Sequence, residues 1–317
     1  MKIKLLDDQQ IFKNLSAQAN PFFEQYYAFY SSWYGGISKN PHLMLLPIDD
    51  HMVHRGDGVF EAMKAINRSV YLLDEHLQRL LRSAKTIGLT PTISLAEMKQ
   101  IIIETLQAAN QDDVIIRTFL SRGPGNFSVN PYDSVDSQFY VVITKLNSPT
   151  IEKYTQGVVI GKSAIPVKDS WMTQVKSCNY LPNVMMKKEA ADRDLDFVIS
   201  VDENGFLGES ATENIMIVDQ SGTIVHPELN HILKGLTMTR ACELAREHGM
   251  PTEVRPMTLE DLQSAREAMM CGTSVDIIPV SQFENRHIAN GKPGPIAKKL
   301  LDLIIEDIAS GPYRTGF

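Results

Sequence analysis

The chain has 317 residues, of which 43% are hydrophobic and 22% charged, and its formal net charge at pH 7 is −7. This length suggests about two domains, and the composition is that of an ordinary globular protein with enough apolar residues for its buried cores. The sequence has no dense basic run that would bind nucleic acid, and no apolar stretch approaches the ~18 residues that a membrane span needs.

The cysteines and histidines do not form the patterns of disulfide or metal sites. Cys178, Cys242 and Cys271 are an odd, scattered set, unlike a disulfide framework or a zinc ligand cluster. His51 and His54 stand three apart without a third ligand at metal spacing, so no metal is predicted. The start, "MKIKLLDDQQIF", meets acidic residues too soon for a secretory signal. We therefore expect a cytoplasmic protein with reduced thiols.

Residues 1–40 form an N-terminal extension that is rich in aromatic residues, as in "NPFFEQYYAFYSSWYGG". A disordered tail would be poor in aromatic residues. We expect this extension to pack on the body of the protein or on a partner subunit.

Residues 41–146 are predicted to form a smaller domain of strands and helices. The segment "LMLLPIDDHMVHRGDGVFEAMKAINRSVYLL" alternates short apolar runs with turn residues, which predicts strands. Two further strands are predicted at "VIIRTFLSR" and "SQFYVVITKL", on either side of the turn-rich "GPGNFSVNPYDS".

Two helices are predicted within this smaller domain. The first runs from Glu75 to Ile87, with Asp74 as its cap and Gly88 at its end. Ser94 and Glu97 form a capping box for the second, which extends to about residue 109. The buried face of the first helix is predicted to comprise Leu77, Leu80, Leu81, Ala84 and Ile87.

A linker is predicted at 147–156, beginning with "NSPT", and a larger domain at 157–317. The larger domain restarts with strands at "GVVIGKSAIPV" and later at "FVISVDENGFLGES", "NIMIVDQSGTIVH" and "AMMCGTSVDIIPV". Helices are predicted after "LKGLT" and at "GPIAKKLLDLIIEDIASG". Because strands and helices interleave without regular βαβ spacing, we predict two α+β domains with mixed or antiparallel sheets.

The segment "VKSCNYLPNVMMKKEA" places Lys176 just before a predicted helix that begins at Asn179. Pro182 suits the first turn of that helix, where a missing N–H costs least. A helix N-terminus disfavours a nearby ammonium and favours the neutral, nucleophilic amine. For this segment alone, a solvated lysine is the more frequent case. The residues that recur at helical spacing are Leu181, Val184, Met185 and Lys188.

Three further segments carry weaker signals of a binding site. In "GFLGESATEN", Glu209 and Glu213 lie among small residues, and a partly buried carboxylate needs a partner, either a protonated ring nitrogen or backbone N–H groups. In "LKGLT", Gly235 precedes an amphipathic helix whose free N–H groups could bind phosphate. "CGTSVD" at 271–276 is a second small-residue turn. Taken singly, each of the last two segments is more simply a plain turn.

Together these segments resemble the fold-type IV pyridoxal-phosphate enzymes, which include branched-chain aminotransferase, D-amino acid aminotransferase and aminodeoxychorismate lyase. The likeness spans roughly residues 47–300, through "GDGVFE", "EHLQRL", "KSCNYLPNVMMKKEA", "GESATEN", "LKGLT" and "CGTSVDIIPV" in that order. The wording "DDHMVHRG", "KSxNYLPNV" and "GPIAKxLLDL" is most similar to plant-type D-amino acid aminotransferases/aminodeoxychorismate lyases.

The resemblance implies a role for Lys176 as the lysine that holds the cofactor in a Schiff base and later moves a proton. It implies that Glu209 pairs with the pyridine nitrogen and keeps it protonated, so that the ring accepts electrons. Tyr180 matches the tyrosine near the cofactor's phenolic oxygen. The sequence separation between Lys176 and Tyr180 is one residue shorter than in branched-chain aminotransferases. This separation fits the D-amino acid and lyase branches.

The resemblance also implies a phosphate site that includes Arg79, although the helical pattern of "EHLQRLLRSAK" alone predicts a surface arginine. The other residues that the resemblance assigns to the cofactor are Leu236 and Thr237 through their backbone N–H groups, Thr273 through its hydroxyl, Ser274 and Asn214.

The substrate-binding residues of the known branches do not carry over. Bacterial D-amino acid aminotransferases have a tyrosine at the position of Phe60, and an arginine and a histidine at those of Phe127 and Val129. Aminodeoxychorismate lyases have a basic residue after "SRGxG", where this chain has Asn126 and Phe127. Phe60 and the nearby cations Lys64 and Arg122 are the substrate-binding residues that we predict.

The sequence therefore predicts a pyridoxal 5′-phosphate-dependent class IV aminotransferase, a homodimer with active sites at the domain and subunit interface. The predicted reaction is ping-pong transfer of an amino group from an amino acid, by preference a D-amino acid, to a 2-oxo acid. The alternatives are an aminodeoxychorismate lyase and a branched-chain L-amino acid aminotransferase. A silent cofactor-binding relic is disfavoured, because Lys176 and Glu209 are both present.

Overall fold

The computed structural model describes residues 3–167, 170–228 and 232–317, and these residues form two β-sheets with helices packed against them. The strands of the first sheet are β1 (Tyr26–Ser31), β2 (Gly36–Ser38), β3 (Gly58–Ile66), β4 (Ser69–Tyr71), β5 (Val114–Ser121), β6 (Gln138–Lys145) and β15 (Arg314–Gly316). Their order across the sheet is β15-β4-β3-β5-β6-β1-β2, and every neighbouring pair is antiparallel.

The second sheet is mixed, with the order β11-β10-β9-β12-β13-β7-β8 and a short β14 on β13. The pairs β10–β11, β13–β7 and β7–β8 are parallel, and the others are antiparallel. The predicted α+β class is confirmed. The strands are β7 (Val158–Lys162), β8 (Phe197–Ile199), β9 (Asn214–Val218), β10 (Ile224–His226), β11 (Thr252–Val254), β12 (Glu267–Gly272), β13 (Asp276–Phe283) and β14 (Arg286–His287).

The α-helices of the described residues are α1 (Asp8–Ser16), α2 (His51–Arg55), α3 (Leu73–Thr86), α4 (Leu95–Ala109), α5 (Ile151–Gln156), α6 (Leu181–Asp192), α7 (Leu236–Glu247), α8 (Leu259–Ser264) and α9 (Pro295–Ser310). Short 3-10 turns lie at Phe23–Gln25, Pro41–Leu43, Pro131–Asp133 and Ser170–Gln174. Across the part of the chain that the structure describes, none of these helices combines the length and apolarity of a membrane span.

Strand β3 presents two different faces because side chains alternate along a strand. Val59, Met63 and Ala65 lie in the core that the first sheet shares with α3 and α4. Phe60 and Ala62 belong to the opposite face and, with residues of β5 beside them, border a cavity. The first sheet therefore supplies both a core and one wall of a binding site.

Helix α3 begins two residues before its predicted start. Leu72 precedes it in the left-handed conformation, at φ 56°, and gives no side-chain cap, so Asp74 lies inside the first turn. The second helix agrees with the prediction at its start: Ser94 N donates to Glu97 Oε2 at 2.7 Å, and Glu97 N donates to Ser94 Oγ at 3.3 Å.

The strand predicted before Gly58 is wrong for residues 43–57, where the structure has the end of a 3-10 turn and α2. The buried Asp50 side chain accepts a hydrogen bond from Met52 N at 2.8 Å and caps α2. Gly56 ends the helix in the left-handed conformation, at φ 68°. A short apolar run with a cap at one end and a glycine at the other suits one helical turn as well as a strand.

The extension contributes β1 and β2 to the first sheet, where β1 pairs with β6. Its α1 carries a capping box between Asp7 and Gln10. Nδ1 of the His42 ring lies 2.8 Å from Leu15 O in the last turn of this helix. The Phe23 ring packs edge-on against the His42 ring, with 4.6 Å between the ring centroids.

The two sheets meet through apolar and polar contacts. Leu72 and Tyr71 join a core cluster made by α7, α9 and strands of the second sheet. Tyr71 Oη donates to Asp307 Oδ2 at 2.6 Å, and Arg240 binds both oxygens of the same carboxylate at 2.9 and 3.0 Å. The predicted linker at 147–156 contains α5, which contacts β13.

The capping box of α4 provides a test of local stability. We expect Ser94→Ala to lower the free energy of unfolding by about 1 kcal/mol, because Glu97 N at the helix start loses its side-chain partner. Urea titration of the cofactor-free protein measures the change. Gln107→Ala, on the exposed side of the same helix, is the matched control and should leave stability nearly unchanged. Equal effects of the two substitutions would contradict a stabilising box.

Candidate active site

A cavity of about 590 Å³ lies between the two sheets. One wall comes from β3, β5 and α3, and the other from the segment before α6, the start of α7 and the turn between β12 and β13. Nearly all of the predicted site residues line it: Phe60, Arg79, Lys176, Tyr180, Glu209, Asn214, Leu236, Thr237, Thr273 and Ser274.

Lys176 is positioned by β3 rather than by the helix that follows it. Its carbonyl accepts from Phe60 N at 2.9 Å, its N–H donates to Ser83 Oγ at 3.2 Å, and the next residue bridges to Val59. Its Nζ lies 4.6 Å from the centroid of the Phe60 ring and 5.7 Å from that of Tyr180. Because α6 begins only at residue 181 and a helix dipole acts within about one turn, the expected effect of the helix N-terminus on this amine is small.

Helix α6 does not bury the face that its apolar pattern suggests. Leu181, Val184 and Met185 are 66%, 56% and 41% exposed. Its buried residues are Asn183, Met186 and Ala190, and Asn183 Nδ2 donates to Ala211 O at 2.6 Å. This hydrogen bond joins α6 to the segment that carries Glu209.

Glu209 and the start of α7 are joined through Asn214. Glu209 Oε2 accepts from Leu233 N at 3.0 Å and from Asn214 Nδ2 at 3.4 Å. Asn214 also donates to Leu233 O at 3.1 Å. Gly235 follows closely, and a Cβ at this position would lie 1.8 Å from Asn214 Oδ1, so a larger residue would displace the asparagine.

The start of α7 has the properties of an anion-binding site. Among the described residues no side chain caps this helix, and Leu236 and Thr237, its first two residues, border the cavity. N–H groups at a helix start carry partial positive charge and bind phosphate. Asn214 is paired with Cys271 across β9 and β12, so Thr273 and Ser274 follow at the same end of the sheet.

Arg79 is buried, which corrects the surface position predicted from the helical pattern. Its Nε and Nη2 donate to the two oxygens of Glu61 at 2.6 and 2.8 Å, and its Nη1 donates to Lys234 O at 2.8 Å. His76 Nδ1 lies 2.7 Å from Glu61 Oε2. Burial raises the pKa of Glu61, but the charge of Arg79 and the contact with His76 outweigh it and lower the pKa well below the usual range.

Glu61 is a site residue that the sequence analysis missed. The signal was present, because a glutamate in the apolar strand "GVFEAMKAI" requires a compensating charge. The pKa of His76 is lowered by its burial against the opposing effect of Glu61. The ring is therefore neutral at pH 7, and Arg79 supplies the positive charge of this cluster.

Two other side chains at the cavity hold their protons at neutral pH. Burial and the charges of Glu209 and Glu213 raise the pKa of Tyr180, so its hydroxyl remains a hydrogen-bond donor. Burial raises the pKa of Cys178 to about 12, so its thiol is a poor nucleophile.

Lys64 and Arg122, both described residues, lie outside the lining of this cavity. Lys64 Nζ contacts Asp276 Oδ1 at 2.5 Å. Arg122 binds both oxygens of Asp57 at 2.7 and 2.9 Å and donates to the carbonyls of Ile87 and Gly88 at the end of α3. In the structure, both cations are therefore bound by protein groups.

Besides Arg79 and Lys176, the described cations that border the cavity are Arg117 on β5 and Lys145 at the end of β6, which the sequence analysis missed. Arg117 lies opposite Ala62 in the sheet, and its Nη1 donates to Thr144 Oγ1 at 2.9 Å. Both cations also line a neighbouring apolar cavity of about 570 Å³, formed largely by aromatic residues of β1 and side chains of β6. The sequence did contain a signal for Arg117, because it is a charged residue within the apolar strand "VIIRTFL".

These residues fit pyridoxal 5′-phosphate by the chemistry of their groups. The cavity combines an amine, a carboxylate and a tyrosine hydroxyl with an arginine and an uncapped helix start. No described side chain caps this helix start, so its N–H groups can bind a ligand. Among the residues that the structure describes, no group of three or more histidine, cysteine or acidic side chains could hold a metal ion.

Comparison with known proteins identifies the family. The amino-transferase class IV family model matches residues 58–283. The chain is 39% identical over 298 residues to the chloroplastic D-amino-acid transaminase of Arabidopsis thaliana, covering 91% of this chain and 78% of that protein. It is 33% identical over 251 residues to a putative branched-chain-amino-acid aminotransferase of Methanocaldococcus jannaschii, covering 79% and 87%.

Solved structures show the same fold. A branched-chain aminotransferase of Thermoproteus uzoniensis with norvaline superposes with a TM-score of 0.84 at 24% identity, covering 92% of this chain and 99% of that one. A branched-chain amino acid aminotransferase of Thermobaculum terrenum in its PLP-form gives 0.82 at 20% identity, covering 92% and 98%. This chain belongs to the class IV aminotransferases, which are enzymes dependent on pyridoxal 5′-phosphate.

Proposed function

We propose that this enzyme transfers the amino group of D-amino acids to 2-oxo acids, with Lys176 as its catalytic residue. The observation that carries the transfer chemistry is that Lys176 and Glu209 border one cavity together with Arg79 and the open start of α7. The preference for D-amino acids is supported by the likeness to the D-amino-acid transaminase over 91% of this chain.

The proposed cofactor site divides into three parts. Lys176 Nζ would hold the cofactor covalently, and the Tyr180 hydroxyl would donate a hydrogen bond to the cofactor's phenolic oxygen. Glu209 would pair with the ring nitrogen, while Leu233 N and Asn214 hold its second oxygen. The phosphate would lie against Arg79, the N–H groups of Leu236 and Thr237, and the turn of Thr273 and Ser274.

When bound, pyridoxal 5′-phosphate supplies a ring that accepts the electrons of a carbanion formed at the substrate's α-carbon. The protein would move the proton: Lys176 Nζ would take it from the substrate's α-carbon and hold it for transfer. The aromatic rings of Phe60 and Tyr180 around Nζ exclude water from this path. A charged Glu209 favours the protonated ring nitrogen.

Arg117 is the cation that we propose for the substrate carboxylate, with Lys145 beside it, in place of Lys64 and Arg122. Arg117 is exposed at the junction of the two cavities, and its hydrogen bond to Thr144 orients the guanidinium. An arginine binds a carboxylate through two parallel hydrogen bonds. The aromatic cavity next to it would receive the substrate side chain.

We propose a homodimer located in the cytoplasm. Large apolar side chains are exposed on the extension and on the loop before β6, among them Phe12, Phe127 and Tyr132. Exposed apolar surface of this extent marks a protein interface. The three cysteines are free thiols, as a reducing compartment would keep them.

A branched-chain L-amino acid aminotransferase is the second candidate, supported by the relative from Methanocaldococcus jannaschii at 33% identity. We expect single-turnover half-reactions to separate the candidates. D-amino acids should bleach the yellow absorbance of the lysine-bound cofactor, and a 2-oxo acid should restore it. Bleaching by L-amino acids alone would favour the second candidate. Lys176→Ala is the control and should lose both the yellow absorbance and nearly all turnover.

Glu209→Gln tests the electronic role of the carboxylate. We expect the single-turnover rate to fall about 100-fold, as on removal of one electrostatic contact at a reacting centre. Cofactor retention should change much less, because the phosphate contacts remain and a glutamine oxygen still accepts from Leu233 N. Glu213→Gln, at a buried carboxylate bonded to Thr212, is the matched control. It should lower the melting temperature without this loss of rate. A Glu209→Gln enzyme with a lower melting temperature and an unchanged rate would rule the role out.

Arg117→Met tests the substrate anchor. We expect the KM for the amino acid to rise at least about tenfold, since a charge-assisted hydrogen bond is lost, while the cofactor absorbance stays unchanged. Arg117→Lys should restore part of the affinity because it keeps the charge. Steady-state kinetics with the preferred amino acid provide the measurement, and an unaltered KM in Arg117→Met would remove Arg117 from the site.

A further inference from the structure

A largely buried ion pair joins the two sheets next to the turn that carries Thr273 and Ser274. Lys64 on β3 and Asp276 at the start of β13 contact each other through Nζ and Oδ1 at 2.5 Å. Their side chains are only 7% and 18% exposed. Two charges withdrawn from water in this way need each other, since either one alone would be left uncompensated.

Asp276 closes the turn that carries Thr273 and Ser274. Gly272 and Asp276 are paired across β12 and β13, and Val275 N donates to Gly272 O at 3.3 Å. Asp276 has a φ of 52°, in the left-handed region, where aspartate is tolerated better than most residues. The position of its carboxylate is therefore coupled to the shape of the turn.

The same turn has a second contact with β3. Thr273 Oγ1 donates to Ala62 O at 3.3 Å. Ala62 and Lys64 are two residues apart, so both point to the same face of the strand, as does Phe60 beside Lys176. Strand β3 thus contacts the turn at two points and Lys176 at a third.

We propose that the Lys64–Asp276 pair is a clamp that holds the 273–275 turn at the distance from β3 that phosphate binding requires. Lys64 and Asp276 are positioning residues that do not touch the cofactor. This assignment gives Lys64 a role other than substrate binding. The inference rests on the proposed location of the phosphate at this turn.

A comparison of two ligands isolates this role from general stability. Pyridoxal 5′-phosphate and pyridoxal differ only in the phosphate group, so a misplaced turn should weaken the first and spare the second. In Asp276→Asn, we expect the dissociation constant of cofactor-free enzyme for pyridoxal 5′-phosphate to rise on the order of tenfold, within the usual range for coupled sites. The constant for pyridoxal should not change.

The double variant Lys64→Met/Asp276→Asn guards against misfolding caused by an unpaired buried lysine. If the pair acts as a unit, the double variant should show the same loss of phosphate discrimination as the single one. Titration by absorbance measures both ligands in every variant. An unchanged ratio of the two constants in both variants, or equal weakening of both ligands, overturns the clamp.

Tyr71→Phe is the matched control, because it removes a contact between the sheets, the hydrogen bond to Asp307, without touching the turn. It should lower the melting temperature and leave the ratio unchanged. A shift as large as that of Asp276→Asn would assign the effect to docking of the sheets in general and overturn the clamp.

Thr273→Ala and Arg79→Lys separate the clamp from the phosphate site on which it rests. Both should reduce the preference for the phosphorylated ligand. If they do so and Asp276→Asn does not, the clamp alone fails. If none of the three changes the preference, the phosphate lies elsewhere and both proposals are overturned.

Discussion

The need to compensate the buried Glu61 carboxylate organises one side of the site. Glu61 is fully buried on β3 and binds Arg79 and His76, which both belong to α3. The ion pair therefore joins the strand to the helix and aims Arg79 at the cavity and at Lys234 O, next to the start of α7. An arginine fixed in this way loses little conformational entropy when it binds a phosphate.

The other side of the site depends on close backbone contacts in the second sheet. The short distance between Gly235 and Asn214 brings the start of α7 against the first residue of β9, and Asn214 extends that contact to Glu209. The carboxylate that we propose for the ring and the N–H groups that we propose for the phosphate thus share one support. Lys176, by contrast, is held by β3 and α3 of the first sheet. Lys176 is thus supported by the first sheet and Glu209 by contacts in the second, so the relative position of the proposed catalytic amine and its proposed electronic partner depends on how these sheets are joined.

The sequence predicted the fold class, and nearly all of the site residues that it predicted line the cavity, but these predictions came by two routes. Local chemistry was sufficient for the capping box of Ser94 and Glu97 and for the strands β5 and β6, where the pattern is strong. The resemblance was needed for Arg79, because the helical pattern does not show that a second layer covers this face of α3. Neither route could assign Lys64. Its partner Asp276 lies 212 positions away along the chain, and only the folded structure brings the two charges together.

The pairing of β15 with β4 has a consequence for synthesis. β15 is an edge strand of the first sheet, although the other six strands of this sheet all lie before residue 146. During translation, the hydrogen-bonding groups along the outer side of β4 stay unpaired until residues 314–316 leave the ribosome. An unpaired edge strand is a site of association with other chains. The emerging polypeptide thus has an unpaired edge at β4 until β15 is synthesised. Removal of β15 would leave this edge of β4 unpaired permanently.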